Sequence, residues 1–299
     1  MKVVLTGSLG HISKPLAKEL TAKGHSITII SSKADRQQEI ENMGAKAAIG
    51  TINDPDFLAT TFKGADIVYT MTPPANFFDP NLDMIAHFGQ LANNFKQAIL
   101  QAAVTKVIHL STIGAHTNKG NGMLAYGYEI ESVLNTLPDT VSIKVMRPVG
   151  FYYNMFAFIP AIKNTGNIFQ NYGGDELKEP WVSPSDIAET IAEEIEKPFN
   201  GRTIRYIASD EVSPNETAKI LGKAIGKPDL KWIVISDEDF ITNLVRIGFS
   251  QQAAEGLAAM NAGRMSGVLY EDYHQHKPRL GKVKLTDFAK EFAAVFNQG

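Results

Sequence analysis

The sequence contains no cysteine. Disulfide bonds, thiolate nucleophiles and cysteine-ligated metal sites are therefore excluded, and any redox chemistry must come from a bound cofactor. An excess of positive charge is also missing, since 29 Lys and Arg stand against 32 Asp and Glu. The basic residues are scattered along the chain, so nucleic acid is not expected as a partner.

Long apolar runs are absent as well. None approaches the roughly 20 residues that a membrane span needs, and the N-terminus enters a strand without the regions of a signal peptide. We therefore expect no membrane contact and a cytoplasmic location. His274 and His276 form an H-x-H pair, but no carboxylate or third histidine stands at metal-ligand spacing, so no metal site is predicted.

The first half of the chain alternates apolar strand-like segments with helix-like segments. Strands are predicted at 2–7, 26–31, 45–50, 66–71, 106–112 and 141–148, with helices at 12–24, 35–43, 54–62, 82–103 and 125–136. Near-continuous apolar strands between helices are typical of a parallel sheet with both faces covered. The predicted fold class is a Rossmann-like, doubly wound α/β sheet.

The turn after the first strand, TGSLGHIS (6–13), has the spacing of a phosphate-binding loop. Gly7 allows a tight turn, and Gly10 lets the backbone approach a pyrophosphate at the N-terminus of the next helix. Ser13 stands where a third glycine would complete the pattern. A plain strand-to-helix turn is the alternative interpretation, but the order of strand, turn and helix favours a dinucleotide. The predicted contacts are Thr6, Gly7, Leu9, Gly10, His11 and Ile12.

The choice between NADP(H) and NAD(H) depends on SSKADR, which follows the second strand. Ser31 and Ser32 stand where an acid would bind the ribose 2′-hydroxyl, while Lys33 and Arg36 can accept a 2′-phosphate. Asp35 lies just beyond them. NADP(H) is therefore favoured, and NAD(H) remains possible.

After Pro148 the pattern changes. The aromatic and glycine-rich segment 151–180 suits a pocket wall or lid. Further elements are predicted as a capped helix at 183–197, a strand at 202–209, and helices at 213–227, 237–262 and 285–297. We predict a dinucleotide-binding domain of 1–150 with about 181–207, and a smaller, mainly helical substrate domain of 151–180 with about 208–299.

Five further segments complete a family pattern. They are GADIVYTMTPP (64–74), VIHLSTIGA (107–115), MRPVGFYYN (146–154), SPSDIAETIA (183–192) and LTDFAKEFAAVF (285–296). With the glycine turn, they make the chain similar to the NmrA-like family over nearly its full length. These atypical short-chain dehydrogenases include type 2 quinone oxidoreductases and redox-sensing regulators.

The resemblance implies roles for residues after the later strands. The chain departs from the family pattern at two positions. Ser32 replaces a family arginine after the second strand, which weakens the assignment of NADP, and Thr51 replaces an acidic residue that lies near the adenine in relatives. The implied cofactor contacts are Thr70, Met71, Thr72, Pro73, Ser111, Thr112, Ile113 and Pro148. The RPxxFxxN segment that opens the substrate region falls on Arg147, Pro148, Phe151 and Asn154, and Phe151, Tyr152 and Asn154 are the implied substrate contacts.

A catalytic dyad is not evident. Short-chain dehydrogenases pair a tyrosine with a lysine four residues later, which lowers the pKa of the phenol. The candidates here are Tyr126 and Tyr128, but isoleucine and serine follow at that distance. The family lysine four residues before Glu131 is also missing, because that position holds Gly127. Packing and catalysis both remain open for the two tyrosines.

The predicted function is hydride transfer from NAD(P)H to a small planar acceptor such as a quinone. Such an acceptor can take its proton from water, so a positioned nicotinamide and a pocket suffice. A non-catalytic NAD(P)-sensing regulator with a protein partner is one alternative. A sugar-nucleotide epimerase or a carbonyl reductase is the other.

Overall fold

A computed structural model describes residues 1–176 and 178–298. The strands are β1 (Lys2–Leu5), β2 (Ser26–Ser31), β3 (Lys46–Ile49), β4 (Ile67–Thr70), β5 (Lys106–Leu110), β6 (Ser142–Pro148), β7 (Gly150–Phe151), β8 (Asn167–Gln170), β9 (Glu179–Val182), β10 (Arg202–Ile207), β11 (Asp210–Val212) and β12 (Lys231–Val234). The helices are α1 (Ser13–Ala22), α2 (Gln37–Asn42), α3 (Pro55–Phe62), α4 (Met84–Gln101), α5 (Ala125–Leu134), α6 (Ile159–Thr165), α7 (Pro184–Glu196), α8 (Pro214–Ala224), α9 (Asp237–Arg246), α10 (Gln251–Met265), α11 (Glu271–Gln275) and α12 (Leu285–Asn297).

Seven parallel strands form the central sheet in the order β10-β6-β5-β4-β1-β2-β3. The central strand β4 is buried along its whole length, because hydrophobic clusters cover both faces of the sheet. The predicted Rossmann-like, doubly wound fold is therefore confirmed. The chain builds outward in opposite directions from β1 and β4, so the loops at their carboxyl ends diverge and leave a crevice.

A second, aromatic core lies beside the sheet. It includes Tyr152, Trp181, Trp232, Phe288 and Phe292. Part of its wall is the parallel pair β8 and β12, whose strands are far apart in sequence. Segment 151–180 thus holds more regular structure than its weak periodicity predicts.

The predicted helix at 237–262 is two helices, and this prediction was wrong. Helix α9 ends at Arg246, and Gly248 follows with a left-handed φ of 103°. Ser250 then caps α10 by accepting a hydrogen bond from the backbone N–H of Ala253 at 3.2 Å. A glycine stop followed by a serine cap ends one helix and starts another.

Within residues 1–176 and 178–298, no helix combines the length and the apolar character needed to cross a membrane.

Candidate functional site

A cavity of about 780 Å³ opens at the carboxyl ends of the strands, at the crevice beside β1 and β4. Most of its lining comes from the segments that follow the first five strands, and Phe151 and Tyr153 add a part from beyond β6. This is the place where open α/β sheets bind ligands. The predicted residues that line it are Gly7, Gly10, His11, Ile12, Ser32, Met71, Thr72, Pro73, Ser111, Thr112, Tyr126 and Phe151.

The two glycines of the turn serve different purposes. Gly7 has a φ of 90°, and a Cβ added there would overlap the side chains of Met71 and Ser13. A Cβ added at Gly10 would meet only the carbonyl oxygen of Gly7, at 3.1 Å. Gly7 is thus needed for the fold of the turn, while Gly10 keeps open space in front of it.

Ser13 packs beneath the turn. Its side chain is buried, and its Oγ donates to the carbonyl oxygen of Thr6 at 3.0 Å. The missing third glycine is therefore accommodated by a hydrogen bond. Helix α1 begins at Ser13, and no described residue supplies an acceptor for the backbone N–H of His11 or Ile12. These N–H groups and the positive end of the helix dipole favour an anion.

Substitutions of Ser13 test this packing. Ser13→Ala removes one buried hydrogen bond, so we expect a loss of about 1 kcal/mol in unfolding free energy and an unchanged NADPH affinity. Ser13→Val places a methyl group against Met71 and should lower both the unfolding free energy and the NADPH affinity. Urea unfolding and fluorescence titration measure the two effects. A binding defect in the alanine variant would instead assign the hydroxyl to cofactor contact.

Three predicted cofactor residues lie beneath the cavity and hold its loops. Thr6 Oγ1 accepts from the backbone N–H of Met71 at 2.8 Å, and Ser31 Oγ accepts from Ser8 Oγ at 2.9 Å. Thr70 Oγ1 lies 3.0 Å from Nδ1 of His109. Burial lowers the pKa of His109 to about 4, so this ring is neutral near pH 7. Three more predicted residues pack outside the lining, namely Leu9, Ile113 and Pro148.

The two predicted 2′-phosphate residues, Lys33 and Arg36, are partly or fully exposed beyond the cavity lining. Arg36 Nη1 lies 3.7 Å from Glu39 Oε2, and Lys14 Nζ lies 2.6 Å from Glu39 Oε1. The hydrogen bond from Lys14 lowers the pKa of Glu39.

Aromatic rings form another part of the lining. Tyr126 stacks on Phe88 with a centroid distance of 4.3 Å, and Tyr153 stacks on His11 at 5.0 Å. The hydroxyl of Tyr126 has no hydrogen-bond partner in the part of the chain that the structure describes. Burial raises the pKa of Tyr126 to about 12, so it remains a protonated phenol that can donate.

Three of the predicted site residues lie outside the cavity lining. Tyr128 is exposed outside the lining, because two residues turn a helix by about 200°. Tyr152 packs in the second core, where its hydroxyl donates to the carbonyl oxygen of Val283 at 3.2 Å. Asn154 is exposed and does not line the cavity.

Some lining residues gave no functional signal in the sequence. The helical spacing of α4 indicates a buried face but not which part of it borders a cavity, and the loop after β4 has no diagnostic pattern beyond Pro74. Across the described ranges, no group of three or more His, Asp and Glu is placed to hold a metal ion. The lining residues without a prediction include Gly50, Ile52, Asn53, Phe77, His87 and Phe88.

The sheet order, the glycine turn and the crevice define a Rossmann-type α/β protein with its ligand cavity at the switch point. The chain belongs to the NmrA-like family, whose family model matches residues 1–271.

Known proteins similar to this chain include two types of enzyme. An NAD(P)H azoreductase of Xenophilus azovorans is 21% identical over 98% of this chain and 99% of its own length. The NADPH complex of an NADPH-dependent quinone oxidoreductase of Escherichia coli superposes with a TM-score of 0.80 at 19% identity, covering 97% and 99% of the two chains. A nucleoside-diphosphate-sugar epimerase of Staphylococcus aureus gives 0.79 at 17%, covering 97% and 100%.

Proposed function

We propose that this protein is an NAD(P)H-dependent oxidoreductase that transfers hydride to a small planar acceptor such as a quinone. One observation carries the proposal: a single cavity runs from the glycine turn to aromatic side chains that include Tyr126. The azoreductase and the NADPH-dependent quinone oxidoreductase that this chain is similar to are both nicotinamide-dependent reductases, which supports the same reaction class here.

The lining fits a dinucleotide along its length. The backbone N–H groups of His11 and Ile12 would bind the pyrophosphate in front of Gly10. The segment 50–53 after β3 would hold the adenine end, and Ser111 with Thr112 after β5 would hold the nicotinamide end, because a dinucleotide lies across the crevice. When bound, the cofactor supplies the hydride.

The chain itself supplies orientation and one proton donor. Within the described residues, the lining contains no Asp, Glu, Lys or Arg, so the aromatic end of the cavity around Phe88 and Tyr126 would favour an uncharged planar acceptor. Tyr126 would donate a hydrogen bond to the acceptor oxygen on which negative charge develops. Phe151 and Tyr153, whose ring centroids lie 5.2 Å apart, would form the substrate side of this cavity.

Replacing the Tyr126 hydroxyl tests its role. We expect Tyr126→Phe to lower kcat about 100-fold, the lower range for a positioned proton donor, with NADPH affinity unchanged. Tyr128→Phe is the matched control and should retain wild-type turnover. Because the pKa of Tyr126 is raised to about 12, wild-type kcat should show no ionisation of this phenol between pH 6 and 10. Equal turnover in both variants would assign the proton to water alone.

The cofactor preference rests on the basic side chains after β2. We expect the double variant Lys33→Ala/Arg36→Ala to weaken NADPH binding about 10-fold, through lost charge-assisted hydrogen bonds, and to leave NADH binding unchanged. Lys63→Ala, an exposed lysine after α3, is the control. The assignment is wrong if the double variant loses NADPH and NADH affinity to the same extent, or if it loses neither. In both cases Lys33 and Arg36 do not bind the 2′-phosphate.

The enzyme and sensor alternatives are separated by turnover. The experiment titrates the protein with NADPH and NADH by fluorescence and then follows nicotinamide absorbance with a panel of quinones and azo dyes. Acceptor-dependent oxidation is the expected result. Tight binding without oxidation would refute the enzyme and favour a regulator that senses dinucleotide occupancy.

The geometry disfavours an epimerase. An epimerase of the short-chain dehydrogenase type needs a lysine four residues after its tyrosine to lower the pKa of the phenol, and the tyrosine in this cavity is Tyr126. The residue four positions later, Ile130, is buried and apolar.

A further inference from the structure

We propose that Ser111 is a hydrogen-bond acceptor toward the cavity, fixed in that role by the buried pair Glu131 and Arg147, and that it accepts from the carboxamide N–H of the nicotinamide. This inference rests on the proposed function. Ser111 follows β5, lines the cavity, and lies on the half of the sheet opposite the adenine end.

The direction of the Ser111 hydrogen bond follows from its partner. Ser111 Oγ lies 2.5 Å from Glu131 Oε1. The same carboxylate accepts from Arg147 Nε at 2.9 Å and from Arg147 Nη2 at 2.6 Å. A carboxylate paired with a guanidinium has only acceptors to offer, so the proton in the Ser111–Glu131 bond belongs to the serine. The remaining lone pairs of Ser111 can only accept.

Glu131 is held so that it cannot turn away. Glu131 is 6% exposed and Arg147 is 4% exposed, so both side chains are enclosed by the protein. The other end of the guanidinium donates from Nη1 to Asp272 Oδ2 at 2.8 Å and to Tyr206 Oη at 3.1 Å. Burial favours the neutral guanidinium, but the hydrogen bonds and charge of Glu131 outweigh burial and raise the pKa of Arg147. The pair therefore sets the rotamer of the serine.

Two hydroxyls of opposite polarity then face the cavity. Tyr126 has no acceptor among residues 1–176 and 178–298, so its hydroxyl can donate to the acceptor oxygen of a quinone. Ser111 requires an N–H or O–H donor, and the carboxamide of nicotinamide provides an N–H whereas a quinone provides none. The arrangement thus separates the cofactor end from the acceptor end by hydrogen-bond polarity.

The test compares two cofactors that differ at this group. NADPH carries a carboxamide, and reduced 3-acetylpyridine adenine dinucleotide phosphate carries an acetyl group without N–H. We expect the wild-type protein to bind NADPH about 5-fold more tightly than the analogue, the worth of one neutral hydrogen bond of about 1 kcal/mol. Fluorescence titration gives both dissociation constants without turnover.

Variants assign the preference to Ser111 and its positioning pair. Ser111→Ala should bind both cofactors equally, Ser111→Thr should restore the preference, and Ser132→Ala, next to Glu131 but outside the lining, should keep it. Glu131→Gln should also lose the preference for NADPH over the analogue, because an amide can donate to the serine and turn the serine proton toward the cavity.

An unchanged preference in Ser111→Ala overturns the inference, whereas a wild-type protein that binds neither cofactor refutes the proposed function. If Glu131→Gln does not fold, the Ser111 series decides.

Discussion

Gly10→Ala should weaken NADPH binding about 30-fold or more, because an added methyl group displaces the pyrophosphate and costs at least one charge-assisted hydrogen bond of about 2 kcal/mol. The variant should still fold. An added Cβ meets only the carbonyl oxygen of Gly7 at 3.1 Å, so a shift of a few tenths of an ångström relieves the contact. Gly10 itself does not have the positive φ of Gly7.

Gly89→Ala is the matched control for Gly10→Ala. It adds the same methyl group on α4, 3.5 Å from the side chain of Glu129, and outside the cavity lining. Titration of both variants with NADPH, together with thermal unfolding, separates binding from stability. Equal affinities in Gly10→Ala and Gly89→Ala would show that the turn is only a structural connection.

Arg147→Ala should lower the unfolding free energy by about 3 to 5 kcal/mol, because it leaves the Glu131 carboxylate buried without its partner. Asp272 also loses a partner, but its side chain is 23% exposed and can be hydrated. Urea unfolding monitored by far-UV circular dichroism measures the change. This is the largest stability effect that we expect from a single substitution near the cavity.

The double variant Glu131→Leu/Arg147→Met separates ion pairing from packing. It removes both charges and fills much of the same volume, so it should recover most of the stability lost in Arg147→Ala. It should not recover the preference for NADPH over the acetylpyridine analogue, because Ser111 no longer has the carboxylate. A double variant as unstable as Arg147→Ala would mean that the buried charges are not the main source of the loss.

The sheet and the glycine turn were predictable because their signals are local. Apolar strands separated by helices indicate a parallel sheet, and the spacing of Gly7 and Gly10 indicates a close approach to a ligand. The break at Gly248 within a predicted helix was missed, although a glycine followed by a serine is a local stop and start signal.

The aromatic lining and the polar network depend on tertiary contacts. Tyr152 and Tyr153 are neighbours, yet one packs in the second core and the other borders the cavity. Only the path of the backbone decides between them. Likewise, the contact of Ser111 with Glu131 joins a strand end to a helix, and Asp272 reaches Arg147 from 125 residues away in sequence. No spacing rule predicts such a pair.

The most direct test of hydride transfer is a single turnover with NADPH deuterated at C4. Protein loaded with either the protiated or the deuterated cofactor is mixed anaerobically with excess quinone, and nicotinamide absorbance is followed. We predict that absorbance is lost only when quinone is present, and more slowly with deuterium. Cofactor that stays bound and reduced, or a loss of absorbance independent of quinone, would contradict the account.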